Sequence, residues 1–147
     1  MTNFQSAKVR VLAVFASGED RRSLGRMFSS FSWNARFIYK SGDLPDALKK
    51  FDPDVVLTDA TMVDGKCWRD ILGKAGERSC FPPVIVSSRL ADERLWAEVL
   101  NLGGYDLLVQ PFDAREVHHV VSMACRSREN EAGRTTARPA AAQSAGR

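Results

Sequence analysis

The chain has 147 residues, of which 44% are hydrophobic, and this size suits one globular domain with its own core. It contains no apolar run of the roughly 20 residues that a membrane-spanning helix needs and no secretory-signal layout at the N-terminus, so we expect a cytoplasmic protein. The net charge of +3 lies in the segment from Arg126 to Arg147, which carries five arginines and two glutamates. The rest of the chain is neutral, which argues against a dedicated nucleic-acid-binding face.

Five strand-like segments alternate with five segments of helical periodicity. The strand-like segments are rich in apolar residues, many of them β-branched. In chain order they are VRVLAVF (9–15), ARFIYK (35–40), DPDVVLTD (52–59), PPVIVSS (82–88) and YDLLVQPF (105–112). The predicted helices follow them within ASGEDRRSLGRMFSSF (16–31), SGDLPDALKKF (41–51), KCWRDILGKAG (66–76), ADERLWAEVLNLGG (91–104) and DAREVHHVVSMAC (113–125).

This alternation predicts an α/β fold with parallel strands, right-handed crossovers and helices on both faces of the sheet. We expect the domain to span residues 1–127. The remaining Ala/Arg-rich segment, residues 128–147, lacks large apolar side chains and is predicted to be a disordered tail. Cys67, Cys80 and Cys125 match neither a zinc motif nor a disulfide framework, so we expect three reduced thiols.

Candidate functional residues lie where the predicted strands end, because open α/β sheets bind ligands beyond the carboxyl ends of their strands. Asp59 is the only ionisable residue among them. Asp and Asn are also common turn formers at such positions, so the strand ends alone do not assign it a role. The full set of strand-end residues is Phe15, Ala16, Asp59, Ser87, Ser88 and Gln110.

The motifs PDVVLTD, Met62-Val63-Asp64-Gly65, PPVIVSS and QPF, in this order, resemble the receiver domain of two-component response regulators. The resemblance covers roughly Lys8 to Ser127. It implies a flavodoxin-like (βα)5 fold with a doubly wound five-stranded parallel sheet in the order 2-1-3-4-5, in a signalling protein that is not an enzyme. It also implies that Asp59 accepts a phosphoryl group from a histidine kinase or a phosphotransfer protein. Ser88 takes the position of the hydroxyl that senses this group, and Pro111 that of a proline after a cis peptide bond.

The chain departs from the receiver pattern at the positions that supply charge. Phe15 and Ala16 stand where the family has two acids that hold Mg²⁺, and Gln110 replaces the lysine that pairs with the phosphoryl oxygens. Leu107 replaces the switching aromatic residue. Mg²⁺ is the cofactor that the resemblance implies, but Asp59 as the sole carboxylate predicts only a weak metal site. We therefore expect an electrostatically depleted site, since phosphoryl transfer depends on cations that neutralise developing charge.

Three other acids are near enough in sequence to compensate. Glu19 and Asp20 follow the first strand and Asp64 lies in the loop after the third. Helix capping is the plainer interpretation of Glu19 and Asp20, and a turn is the plainer interpretation of Asp64.

Output is expected through another protein or through a region outside this sequence, because the tail is too short and polar for a DNA-binding module. The fourth helix and fifth strand form the usual output face of receivers, and Trp96 on that helix is a candidate docking residue. Two alternatives stay open at this point. One is a pseudo-receiver that acts as an interaction module without phosphorylation. The other is an unrelated flavodoxin-like enzyme or nucleotide binder that uses ASGEDRRS (16–23) as an anion loop.

Overall fold

A computed structural model describes residues 9–61, 68–76 and 80–134, with the last five of these by their backbone only. Strands and helices alternate along the whole described chain, and a short 3-10 turn at Ser41–Asp43 precedes the second helix. The strands are β1 (Arg10–Val14), β2 (Asn34–Ile38), β3 (Val55–Asp59), β4 (Val84–Ser88) and β5 (Asp106–Val109). The helices are α1 (Gly18–Ser30), α2 (Leu44–Phe51), α3 (Trp68–Gly76), α4 (Glu93–Asn101) and α5 (Ala114–Arg134).

The strands form one five-stranded parallel sheet in the order β2-β1-β3-β4-β5. This confirms the predicted class, the parallel arrangement and the 2-1-3-4-5 order. The register pairs Asp59 at the end of β3 with Ser87 in β4, and Ser88 with Val109 in β5. Because all five strands are parallel, their carboxyl ends meet at one edge of the sheet, where the predicted site residues lie. Within the described ranges no helix is long and apolar enough to cross a membrane.

Alternate residues of each strand contribute to two separate cores, because successive side chains point to opposite faces of a sheet. In β1, Leu12 and Val14 pack on one face and Val11 and Ala13 on the other, and all four are inaccessible to solvent. Helices α2, α3 and α4 cover the first face, while α1 and α5 cover the second. Such double coverage explains why β3 and β4 are continuous apolar runs rather than alternating ones.

The last helix corrects the predicted domain boundary. Residues 128–134, which the sequence analysis assigned to the disordered tail, continue α5 to Arg134. Arg128 in this extension donates a hydrogen bond of 2.7 Å to the Pro53 carbonyl oxygen and pairs with Asp54 at 3.6 Å. This part of the segment is therefore helical and in contact with the body of the domain. The rest of the predicted tail, residues 135–147, lies outside the described residues.

Candidate functional site

Asp59 is the last residue of β3 and is half-buried at the carboxyl edge of the sheet. Its Oδ1 atom accepts hydrogen bonds from the backbone N–H of Ala60, at 2.9 Å, and from Nε2 of Gln110, at 3.2 Å. In the part of the chain that the structure describes, no hydrogen bond reaches the other oxygen, Oδ2. The carboxylate is thus held in place through one oxygen.

Gln110 joins Asp59 to the neighbouring strand end. Its side chain is buried, and Nε2 also donates a hydrogen bond of 2.9 Å to Oγ of Ser87. The Ser87 hydroxyl in turn donates to the Thr58 carbonyl oxygen at 3.2 Å. The peptide bond between Gln110 and Pro111 is cis, as the family resemblance implied. Ser87 was only one of the strand-end candidates in the sequence, and its part in this network depends on the register between β3 and β4.

Ser88, the predicted sensing hydroxyl, is buried at the end of β4. Its Oγ atom accepts a hydrogen bond of 3.0 Å from the backbone N–H of Leu90. A hydroxyl that accepts a bond still has a proton to donate, and no described residue accepts the proton of Ser88, so it is a candidate donor to a group bound at the edge of the sheet.

A second carboxylate faces this site from the first turn of α1. Ser17 caps that helix by accepting a hydrogen bond from the Asp20 backbone N–H, at 3.2 Å. Asp20 is buried, and its side chain pairs with the Arg89 guanidinium at 3.5 Å. Asp20 therefore lies where the capping interpretation placed it, but in the described structure its carboxylate pairs with Arg89. Arg89 was not among the residues predicted for the site, although a basic residue directly after a strand-end hydroxyl is a usable signal.

The pKa of the Asp59 carboxyl reports these surroundings. Burial raises it above its ordinary value, and the hydrogen bonds from Gln110 and Ala60 oppose that increase. The Asp20 carboxylate raises the pKa further by like-charge repulsion, whereas Arg89 lowers it by attraction. Asp20 and Arg89 are thus both close enough to Asp59 to act on its charge.

The described residues do not fit a Mg²⁺ ion. Phe15 is completely buried and contacts the Phe112 ring edge-to-face at 5.9 Å, so no oxygen ligand replaces the family's acid at that position. Glu19 is exposed, and the Asp20 carboxylate is paired with Arg89. Among the described residues no three His, Cys, Asp or Glu side chains lie close enough together to hold a metal ion. Asp64, the remaining acid that the sequence suggested, lies outside the described residues, as does the rest of the 62–65 motif.

The loop considered as an alternative anion site is occupied by the chain's own side chains. The Ser17 hydroxyl caps the start of α1, and the Arg21 guanidinium donates to the carbonyl oxygens of Phe15 and Ala16 at 3.2 and 2.8 Å. The buried Asp20 carboxylate adds negative charge beside this loop, which opposes anion binding there.

The predicted output face carries exposed apolar side chains. Trp96 on α4 is 47% exposed, and its indole N–H donates a hydrogen bond of 3.1 Å to Asp106 at the start of β5. Leu107 is partly buried against the core on the α4 side of the sheet. Other large apolar side chains exposed on or beside α4 and β5 are Leu90, Leu100, Leu102 and Val109.

No protein-family model matches the sequence, and no curated protein matches it significantly. Among solved structures, the signal receiver domain of a putative LuxO repressor protein from Vibrio parahaemolyticus is similar with a TM-score of 0.76 at 17% identity, covering 84% of this chain and 95% of that one. A CheY-like response regulator receiver domain protein from Methanospirillum hungatei gives a TM-score of 0.73 at 16% identity, covering 84% and 98%. NtrX from Brucella abortus gives 0.78 at 17% identity, covering 89% of this chain and 30% of that chain. The chain therefore has the receiver-domain fold.

Proposed function

We propose that this domain works in phosphorelay signalling and accepts a phosphoryl group on Asp59 from a histidine kinase or a phosphotransfer protein. The observation that carries the proposal is the placement of the Asp59 carboxylate on a receiver fold. It lies at the carboxyl edge of the sheet, it is half-buried, and one oxygen is held by Ala60 and Gln110. We propose a cytoplasmic location, where ATP-dependent kinases act, and no enzymatic activity towards a separate substrate.

The transfer does not require a base to activate the acceptor carboxylate. Asp59 attacks the phosphorus atom as an ionised carboxylate, so a new P–O bond forms without removal of a proton from Asp59. The P–N bond of the donor breaks, and its electron pair stays on the imidazole nitrogen. Oδ2 is the attacking atom in this proposal, because Oδ1 already accepts two hydrogen bonds.

Ser88, at the end of β4, would bind the transferred group, and Gln110, directly after β5, would hold the Asp59 carboxylate that carries it. The Ser88 hydroxyl accepts from Leu90 and has its own proton left to donate to a phosphoryl oxygen. Gln110 stands at the position of the family's lysine, but its two amide N–H donors are already bonded to Asp59 and Ser87, and it carries no positive charge. We infer that phosphotransfer is slower than in a receiver with the lysine, since charge neutralisation is the main contribution that a site makes to this reaction.

The proposed readout is a protein partner that binds across α4 and β5. Aromatic and apolar side chains in the centre of such a surface are the usual source of binding energy in protein interfaces. Trp96 fits this role because its indole is exposed and is oriented by its hydrogen bond to Asp106.

Incubation with acetyl phosphate, followed by intact-mass measurement, tests the phosphorylation. We expect an adduct of about 80 Da on the wild-type chain, which is the mass of one phosphoryl group. Asp59→Ala should abolish it, and Asp46→Asn, a change at an exposed carboxylate on α2, should not. Absence of the adduct on the wild type would refute the proposed acceptor role, and an adduct that survives Asp59→Ala would assign the site to another residue.

The competing candidate is a pseudo-receiver that binds its partner without being phosphorylated. The buried Phe15 favours it, because the side chain at an expected metal-ligand position belongs to the hydrophobic core. In that case the acetyl phosphate experiment gives no adduct. A partner that binds through Trp96 would then bind the Asp59→Ala variant as tightly as the wild type.

A further inference from the structure

The carboxyl edge of the sheet carries more negative than positive charge around Asp59. The described structure brings two carboxylates, Asp20 and Asp59, together with one guanidinium, Arg89. A phosphoryl group on Asp59 would replace one negative charge by about two. Such a group needs a compensating cation, and the described residues provide neither a metal site nor the lysine.

Arg89 is the basic group whose charge reaches Asp59, since its attraction lowers the pKa of the Asp59 carboxyl against the larger effect of burial. The Arg89 side chain is 58% exposed, whereas the side chain of its partner Asp20 is 10% exposed. The ion pair is long, with 3.5 Å between Nη2 of Arg89 and Oδ1 of Asp20. In the described structure one donor of this guanidinium binds Asp20, so the rest of its planar fork can bind phosphoryl oxygens without leaving that buried carboxylate unpaired.

The position of Arg89 in the chain supports this role. It follows Ser88 directly, so the hydroxyl donor and the guanidinium leave β4 side by side. The hydrogen bond from the Leu90 backbone N–H to Ser88 Oγ spans Arg89 and constrains the turn that carries it. The guanidinium is therefore kept near the strand end even though its tip is exposed.

We propose that Arg89 is the phosphoryl-binding cation of this domain, and that Asp20 holds its guanidinium beside Asp59. Binding of the phosphoryl group would then not require Mg²⁺. This inference rests on the proposed phosphorylation of Asp59. In the family the positive charge at this site comes from the Mg²⁺ held by the acids at the end of β1 and from the lysine before the cis proline. In this domain it would come from the residue directly after β4.

The first test measures the rate of adduct formation with acetyl phosphate in excess Mg²⁺ and in EDTA, for the wild type, Arg89→Ala and Arg89→Lys. We expect the wild type to react at similar rates in both conditions. Arg89→Ala should react at least about tenfold more slowly in both, because an oriented positive donor at a charged transition state is lost. Arg89→Lys, which keeps the charge but not the fork, should lie between them. Arg94→Ala, at an exposed arginine on α4, is the matched control and should equal the wild type.

A second measurement does not depend on phosphorylation. The pKa of the Asp59 carboxyl, followed by carbon NMR, should increase in Arg89→Ala and decrease in Asp20→Asn. An unchanged pKa in both variants would overturn the placement of Arg89, even if Asp59 is phosphorylated. An adduct that forms only with Mg²⁺, or equally fast on Arg89→Ala, would overturn the role of Arg89 alone. No adduct on the wild type in either condition would overturn the proposed function, and the phosphoryl-binding role with it.

Discussion

Replacement of Gln110 by leucine tests whether the network at the carboxyl edge of the sheet stabilises the domain. Leucine is similar in size to glutamine but has no donor, so Gln110→Leu removes both hydrogen bonds from Nε2 while filling the same space. One of these bonds reaches Ser87 Oγ at 2.9 Å and the other reaches Asp59 Oδ1 at 3.2 Å.

The structure sets the expected magnitude. Ser87 is inaccessible to solvent, so water cannot replace the first bond, which contributes about 1 kcal/mol. The second bond goes to a charged acceptor, for which about 1.5–3 kcal/mol is typical, but Asp59 is half-buried and water recovers part of this. Burial of leucine offsets a further part. We expect a net loss of about 2 kcal/mol in the free energy of unfolding at pH 7, which lowers the melting temperature by about 6–8 °C for a domain of this size.

Urea unfolding followed by tryptophan fluorescence measures this loss, since Trp68 is buried in the native state. Val109→Thr, a change of similar shape at the exposed neighbour on β5, is the control and should stay within about 0.5 kcal/mol of the wild type. The loss should shrink at a pH low enough to protonate Asp59, because its bond to Gln110 is then no longer charge-assisted. A loss below about 0.5 kcal/mol at pH 7 would refute the reasoning, since it would mean that solvent replaces both bonds.

Three other features of the structure lead to measurable expectations. A methyl group at Gly104 would approach a side-chain carbon of Val99 to 2.5 Å, so Gly104→Ala should lower the free energy of unfolding by about 1–3 kcal/mol in urea titrations. Burial raises the pKa of the Cys125 thiol to about 12, whereas Cys80 is exposed. Iodoacetamide at pH 8 should therefore alkylate Cys80 and leave Cys125 unmodified in peptide mass maps. Burial also raises the pKa of Asp59, so the folded state binds this proton more tightly than the unfolded chain. The stability that results at low pH is lost as the pH rises through the raised pKa. Asp59→Asn should consequently melt at a higher temperature than the wild type at pH 7, with a difference that shrinks as the pH falls.

Each of these expectations has its control. Gly25→Ala, at an open position within α1, should stabilise the domain by about 0.5–1 kcal/mol, and a neutral Gly104→Ala would contradict the predicted clash. Alkylation in denaturant should modify Cys80 and Cys125 alike, so modification of Cys125 at the rate of Cys80 in the folded protein would be inconsistent with its burial. Asp46→Asn should leave the melting curve nearly unchanged at either pH. Equal melting temperatures for Asp59→Asn and the wild type at pH 7 would rule out a net cost of the Asp59 charge.

The strands and helices could be predicted because their signals are local. Each strand in the structure falls within or overlaps its predicted segment, and the apolar run VIVSS has the composition of a strand that is covered on both faces. The order of the strands came from the family resemblance rather than from periodicity. The helical pattern of apolar residues stops near Cys125, so the sequence did not predict that α5 continues to Arg134. Arg, Glu and Ala are good helix formers, and Arg128 adds contacts to Pro53 and Asp54 that only the folded chain supplies.

The sequence alone was sufficient to place Asp59, Ser88 and Gln110 at one edge of the domain, because parallel strands of one sheet end together. It could not show which side chains meet across that edge. Arg89 and Asp20 are 69 positions apart, and their pairing depends on how the turn after β4 faces the first turn of α1. Periodicity along the chain indicates which face of one element is buried. The contact between two charged side chains arises only when separate elements pack. For that reason Arg89 was recognised as the cation near Asp59 from the tertiary structure, and not from the receiver-like sequence motifs.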